Sequence, residues 1–168
     1  MELPHAAYFY TLAQIGLAFA GFAAILMALR ESRGHPMSKF DLWVAQSYIQ
    51  SGLVTAMSAM LSPLLFAFGL SESITWQLAS LLIGIPALVM MLRAPGQWRA
   101  RTDLPVRLRL WVQIGLGMMV NGALLLNAAG WPWRADGSFI MLAVSWNLFS
   151  FFAQFAESVN FFFESEER

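Results

Sequence analysis

"NLFSFFAQFAESVNFFFES", residues 147–165, combines seven phenylalanines with side chains that lipid does not favour. Asn147, Gln154, Glu157 and Asn160 all stand in this apolar run. The segment is long enough to cross a bilayer as a helix, because about 20 mostly apolar residues suffice. Its amide and carboxylate groups then need a protein or water environment, since each is costly to leave unpaired in hydrocarbon.

The composition of the whole chain indicates the same environment. Of 168 residues, 58% are hydrophobic and 12% are charged, and the mean hydropathy is +0.59. Soluble domains carry roughly 25% charged residues, so this chain has too few to cover a water-exposed surface. Cysteine is absent, which excludes a disulfide framework and cysteine-based metal binding. The composition therefore predicts an integral membrane protein.

Five stretches are long and apolar enough to span the bilayer. Pro63 and Pro86 are expected to break the second and third of them. The first is expected to be retained, because the leading "MELPH" has no basic signal-peptide region. The predicted fold is all-α: a polytopic membrane helical bundle forming a single domain over residues 1–168. The predicted spans are about 8–29, 42–70, 76–92, 110–130 and 139–163.

Lysine and arginine are distributed very unevenly between the predicted loops. Nine of the ten lie after the first span, after the third span or in the tail, and Arg134 is the exception. By the positive-inside rule, the N-terminus is outside and the C-terminus cytoplasmic. The basic loops need no nucleic acid to explain them. Aromatic residues expected at the outer interface include Tyr8, Tyr10, Trp76 and Trp131. Four arginines are expected to contact anionic lipid headgroups: Arg99, Arg101, Arg107 and Arg109.

A helical wheel places the polar residues of the fifth span within an arc of about 120°, with most of its phenylalanines on the remaining, lipid-facing side. Polar side chains on other spans recur at every depth. These side chains either form hydrogen bonds between helices, worth about 1 kcal/mol each, or line a water path. Packing is the preferred interpretation for four amides: Gln14, Gln113, Asn121 and Asn127. A close helix seam is preferred for Gly16, Ala20 and Ala24. The pathway or polar-core candidates are Glu157, Gln154, Ser150, Asn147, Gln50, Gln46, Ser58, Asn121, Gln113 and Gln14.

Glu157 is the one carboxylate well inside a predicted span. It precedes the end of the apolar run at Phe163 by six residues, or about 9 Å of helix. A charge at such depth marks a functional site by default. The alternatives are that Glu157 reaches the interface by extending its side chain, or that it pairs with Arg109.

The sequence lacks the motifs of common enzymes. His5 and His35 are its only histidines, and neither has metal-ligand spacing. No HExxH, GxSxG, Walker or GxGxxG motif occurs. We therefore expect a protein that is not an enzyme and that has neither a cofactor nor a metal.

Two stretches carry a resemblance to other proteins: "GLAFAGFAAILMALRESRG" at 16–34 and "LSPLLFAFGLSESITWQLAS" at 61–80. They resemble a widespread set of uncharacterised small bacterial membrane proteins, which carry an FAGF run in the first span and then an LLP…GLSE…W pattern. The resemblance implies a bacterial multi-span protein and no known activity.

The leading prediction is a homo-oligomeric channel or pore-like transport protein for ions, with cations favoured, in the bacterial inner membrane. Small subunits usually build such assemblies by closed cyclic symmetry. The second or fifth helix would line the path, and Glu157 would form a cation-attracting ring at its cytoplasmic mouth. One alternative is a non-conducting structural or partner-binding membrane protein. The third is a small secondary transporter, which broken second and third spans would suit, although no inverted repeat is present.

Overall fold

The computed structural model describes residues 3–32, 39–101, 108–131 and 135–164, and the regular structure within these ranges is entirely α-helical. Each helix contains a stretch long and apolar enough to cross a membrane. The prediction of an all-helical, multi-pass membrane protein is therefore confirmed, while the orientation of its termini stays a prediction. The helices are α1 (Ala6–Ser32), α2 (Lys39–Ala67), α3 (Glu72–Arg101), α4 (Leu108–Ala128) and α5 (Gly137–Glu164).

The prediction that prolines break the second and third spans is wrong. Helix α2 continues through Pro63, and α3 continues through both Pro86 and Pro95. Proline removes one backbone donor, but helices packed in a membrane bundle tolerate it because neighbouring groups satisfy the freed carbonyl. The second span ends sooner than predicted, at a turn around Gly69, whose φ of 84° is a conformation that glycine adopts without strain.

Helices α1 and α2 form a hairpin whose backbones touch. A Cβ atom added to Gly52 would lie 2.6 Å from the carbonyl oxygen of Gly16, and one added to Gly16 would lie 2.8 Å from the carbonyl oxygen of Gly52. Ala20 fills the next position along this seam. Small residues permit such close approach, which gives membrane helices their van der Waals attraction. Gly16 and Ala20 thus pack as the sequence predicts, whereas Ala24 is exposed.

Helices α3 and α5 pack against this hairpin, and α4 packs on α3 and α5. Met91 of α3 contacts Gly117 of α4, and Tyr8 of α1 bonds to Ser145 of α5. The N-terminal end of the bundle therefore holds the start of α1, the α2–α3 turn and the α4–α5 connection, and α5 runs toward the opposite, C-terminal end. The main buried cluster lies nearer the N-terminal end and includes Phe9, Trp76, Leu124, Ile140 and Val144.

Two aromatic predictions need correction. Trp76 is only 2% exposed and packs against Phe9 with ring centroids 6.0 Å apart, so it is a core residue and not an interfacial one. Phe155, expected to face lipid, lies 5.2 Å by ring centroid from both Phe19 and Tyr48. The helical wheel could not show that α1 and α2 cover this part of the phenylalanine side of α5.

Replacing Gly52 by alanine should destabilise the protein by about 1–3 kcal/mol, because the new methyl group must push two backbones apart. The matched control is Gly115→Ala, since a Cβ atom at Gly115 would meet nothing within 4 Å. That control should be neutral or stabilising by up to about 1 kcal/mol, as alanine favours the helix. Unfolding in mixed detergent micelles measures both. Equal stability of the two variants would contradict the α1–α2 seam.

Candidate functional site

Three hydroxyl groups in the first half of α2, those of Ser47, Ser51 and Thr55, are satisfied within their own helix. Ser47 Oγ donates to the carbonyl oxygen of Trp43 at 2.8 Å, Ser51 Oγ to that of Ser47 at 2.7 Å, and Thr55 Oγ1 to that of Ser51 at 2.8 Å. Such bonds to the preceding turn are the usual way for serine and threonine to stay paired in hydrocarbon. This part of the predicted α2 stripe therefore requires no water.

Asn127, which is 3% exposed, joins three parts of the N-terminal end. Its Nδ2 donates to Ser80 Oγ at 2.9 Å and to the carbonyl oxygen of Asp136 at 3.0 Å. Its Oδ1 accepts from the backbone N–H of Asp136 at 2.9 Å. One amide thus holds the connection before α5 against α3 and α4, which is the packing role expected for amides in membrane bundles.

Asn121 is fully buried on α4, where Nδ2 donates to the carbonyl oxygen of Gly117 at 2.8 Å and lies 3.5 Å from Met91 Sδ. Its Oδ1 has no hydrogen-bond partner among the described residues, and the same is true of Ser62 Oγ and Thr75 Oγ1. The close contact of Met91 with Gly117 leaves this position packed. Asn121 therefore lies between helices and not along an open passage.

The polar residues predicted on α5 are half-buried: Asn147, Ser150 and Gln154. The carbonyl oxygen of Gln154 accepts a hydrogen bond from Tyr48 at 3.0 Å, at the level where aromatic rings fill the junction of α1, α2 and α5. Among the described side chains, this level of the interior is packed by aromatic rings. The junction of α1, α2 and α5 is therefore closed by rings at that depth, and no water-filled passage runs between these three helices among the described side chains.

Several predicted site residues lie outside the side chains that the structure describes. Glu157 belongs to the backbone of α5, one turn beyond the Tyr48 contact, and its role stays a prediction. The same holds for the proposed lipid contacts at Arg99, Arg101, Arg107 and Arg109.

Three amides within the candidate spans are exposed: Gln14 on α1, and Gln46 and Gln50 on α2. They take part in none of the hydrogen bonds formed among the described residues. Gln113 and Ser58, by contrast, are half-buried. On α3, α4 and α5, the exposed described side chains away from the span ends are apolar. Amides in the outward surface at membrane depth are thus confined, among the described residues, to the α1–α2 hairpin.

A groove runs between α1 and α2 on this surface. One part has a volume of about 450 Å³ and is lined by Tyr10, Gln14, Leu17, Met57 and Met60, among others. A second part of about 440 Å³ shares Tyr10 and extends past Pro63 toward the N-terminal end. Gln14 and Met57 therefore lie on the same side of the hairpin. Residues seven positions apart lie on the same side of a helix. Gly21 therefore shares the side of α1 that carries Gln14, and Gln50 shares the side of α2 that carries Met57. We call the exposed surface formed by Gln14, Gly21, Gln46, Gln50 and Met57 the α1–α2 face.

Asp136 caps the N-terminus of α5, with Oδ1 accepting the backbone N–H of Ser138 at 2.7 Å. This hydrogen bond, the Ser138 hydroxyl and the charge of His5 together lower the pKa of the Asp136 carboxyl, against a smaller opposing effect of burial. No group of three His, Cys, Asp or Glu side chains within the described residues could hold a metal ion. Asp136 therefore has a structural role as the cap of α5.

The described residues define an integral membrane protein with five helices long and apolar enough to span the bilayer, and with an outer face on α1 and α2 that exposes amides. No family model, curated protein or solved structure matches the chain. The resemblance to bacterial FAGF-containing membrane proteins stays a prediction.

Sequence reasoning included Gln14, Gln46 and Gln50 among the candidates but assigned them to a polar core. Their exposure was missed because a helical wheel gives the angle between residues and not the position of neighbouring helices. The available signal was spacing: Gln14, Gly21 and Ala28 recur every seven residues, a pattern typical of a helix–helix contact.

Replacing Asn127 by aspartate should destabilise the protein by about 2–4 kcal/mol, since the carboxylate cannot donate to Ser80 and Asp136 and would bury a charge. The control is Gln77→Glu, the corresponding change from amide to carboxylate at a half-buried position of α3. Unfolding in detergent measures both variants. A loss at position 127 no larger than at position 77 would contradict the three-way contact.

Replacing Asp136 by alanine should lower the free energy of unfolding by about 1 kcal/mol at neutral pH, the usual cost of losing a helix cap. Because the folded state lowers the pKa of this carboxyl, its contribution is present above the ordinary value of about 3.9 and is lost as the pH falls through the lower, folded value. Unfolding curves recorded from pH 2 to 7 should therefore converge for wild type and variant at the acid end. Asp136→Asn should keep the cap and lose the pH dependence, and a constant difference across the range would contradict the assignment.

Proposed function

We propose that this protein is a homo-oligomeric, pore-like membrane protein that conducts small ions, with cations favoured, along a path between chains. The observation that carries the proposal is the contrast between a chain interior whose described polar groups are largely bonded or packed and an outer α1–α2 face that exposes three amides. A polar path that is not inside one chain must lie between chains.

The α2 helix supplies the polar lining in this proposal. Gln46 and Gln50 lie one turn apart and both are exposed, so they form a continuous polar strip toward the C-terminal end. The Tyr48 hydroxyl, between them in sequence, reaches the backbone of α5 at Gln154. Glu157 follows at the same end, where a ring of carboxylates would attract cations.

The membrane and the orientation are also part of the proposal. The strong bias of lysine and arginine favours a cytoplasmic C-terminus and therefore a cytoplasmic position for Glu157. The FAGF resemblance favours the bacterial inner membrane.

A non-conducting structural or partner-binding assembly is the second candidate. It is favoured by the bonded interior. Asn127 joins α3, α4 and the start of α5, and the hydroxyls of Ser47, Ser51 and Thr55 bond within α2, so none of these groups needs a water path. The secondary transporter loses its main support, since α2 and α3 continue through Pro63 and Pro86.

Ion flux into liposomes containing the purified protein tests the proposal. Wild type should conduct cations in preference to anions. Gln50→Leu should reduce the flux on the order of tenfold, equivalent to an added barrier of about 1.4 kcal/mol, because it places an apolar side chain in the strip. Glu157→Gln should reduce the preference for cations.

The matched control is Gln77→Leu, the same substitution at a half-buried position of α3 away from the α1–α2 face. It should leave flux per folded protein unchanged. Absence of wild-type flux at every voltage, pH and ion gradient would exclude the channel and leave the non-conducting assembly. If wild type conducts and Gln50→Leu conducts equally well, α2 does not line the path.

A further inference from the structure

We propose that a second copy of this chain covers the part of the α1–α2 face formed by Gln14, Gly21 and Met57, with the Gln14 amides of the two chains hydrogen-bonded to each other across the contact. The inference rests on the homo-oligomeric part of the proposed function and not on conduction.

The depth of Gln14 decides what can cover it. Gln14 lies eight residues beyond the start of α1 at Ala6, or about 12 Å along the helix axis. The apolar span runs from Ala6 to Leu29 and the hydrocarbon core is about 30 Å thick, so this amide stands well inside the core. Acyl chains at that depth offer neither donors nor acceptors, and an amide left unpaired there costs several kcal/mol. A lipid in the groove would therefore leave Gln14 unsatisfied, and the occupant must be protein.

The chemistry of Gln14 favours an identical chain. A primary amide carries both donors and an acceptor, so it is complementary to itself. A two-fold contact between identical chains brings the same surface of each subunit together, and a residue near the axis meets its own copy. A second Gln14 supplies the missing bonds with no other partner.

The shape of the surface is also complementary to itself. Met57, which is 74% exposed, stands beside a groove of about 450 Å³. Across a two-fold axis, the flexible methionine side chain of each copy can enter the groove of the other. Gly21 is exposed on the same face, and a Cβ atom there would meet nothing within 4 Å, so the partner's backbone can approach closely. The outward faces of α3, α4 and α5 lack exposed amides in the described part of their spans, which suits them to lipid.

Disulfide crosslinking tests the contact directly, because the chain contains no cysteine and a single introduced thiol is unambiguous. Gln14→Cys in native membranes should form a disulfide-linked dimer on mild oxidation. The control is Leu82→Cys on α3, a 54% exposed position ten residues from the start of its helix and so at a comparable depth. It should remain monomeric. A Gln14→Cys chain that crosslinks no more than the control would overturn the proposal.

Self-association in detergent, measured by dilution, tests the same contact without oxidation. Gln14→Leu should weaken the association about threefold to fivefold, as expected from losing an interhelical hydrogen bond. Gly21→Leu should weaken it further, because the larger side chain holds the chains apart. The matched control is Gly115→Leu on α4, where an added Cβ atom also meets nothing within 4 Å. Both glycine-to-leucine variants should unfold like wild type, so a selective effect at Gly21 reports the contact and not the fold.

The outcomes separate this inference from the proposed conduction. Crosslinking at Gln14 without ion flux supports the contact and rejects the channel. Flux with no crosslinking above the control, and no effect of Gly21→Leu, supports conduction and rejects this contact. A monomer at every concentration rejects the contact and the homo-oligomer together.

Discussion

Hydrocarbon offers no hydrogen bonds, and this constraint organises the whole structure. Each buried polar group must find a partner inside the protein. The hydroxyls of Ser47, Ser51 and Thr55 bond to their own helix α2, and Asn127 connects α3, α4 and the start of α5 through a single side chain. Tyr48 reaches a backbone carbonyl on α5. Three buried atoms depart from this pattern, Ser62 Oγ, Thr75 Oγ1 and Asn121 Oδ1. The amides of Gln14, Gln46 and Gln50 differ from them because they are exposed on the outer surface, and they call for an explanation outside the single chain.

The hydrocarbon of the membrane also changes how helices attract one another. Lipid tails are as apolar as leucine, so burying an apolar side chain between membrane helices gains little, and close packing must supply the attraction. The backbone contact between Gly16 and Gly52 is the clearest example of such close packing in this protein. The exposed Gly21 has the same small size on a side of α1 away from this seam, where its own chain places nothing within 4 Å of an added Cβ atom. Glycine, which permits the close contact between α1 and α2 within the hairpin, thus occurs again at Gly21 on the exposed α1–α2 face.

The sequence predicted the five helices well, because hydrophobic length is a property of each segment alone. It predicted the seam at Gly16 and Ala20 for a similar reason, since small residues at regular spacing favour contact wherever the partner lies. The sequence-based predictions were wrong where helix continuity or side-chain exposure depends on the neighbouring helices. Pro63 and Pro86 were expected to break helices that the bundle keeps continuous, and Phe155 was assigned to lipid although α1 and α2 cover it. The exposure of Gln14 depends in the same way on which side of α1 faces α2.

A dry contact at Gln14 and a polar path at Gln50 are compatible because helices cross at an angle. The contacts between Gly16 and Ala56 and between Ala20 and Gly52 place Gln50 level with Phe22, which lies eight residues beyond Gln14 on α1. That separation is about 12 Å along the axis. Helices in close contact through small residues cross at about 40°. Two axes that cross midway between Gln14 and Gly21 diverge by about 5 Å at the level of Gln50 and by about 9 Å at the level of Gln46. Such a gap is wider than a water molecule, and Gln46 lies one turn farther along the opening. The proposed contact therefore leaves Gln46 and Gln50 beside the widening gap between the two chains, which is where a path between chains requires them.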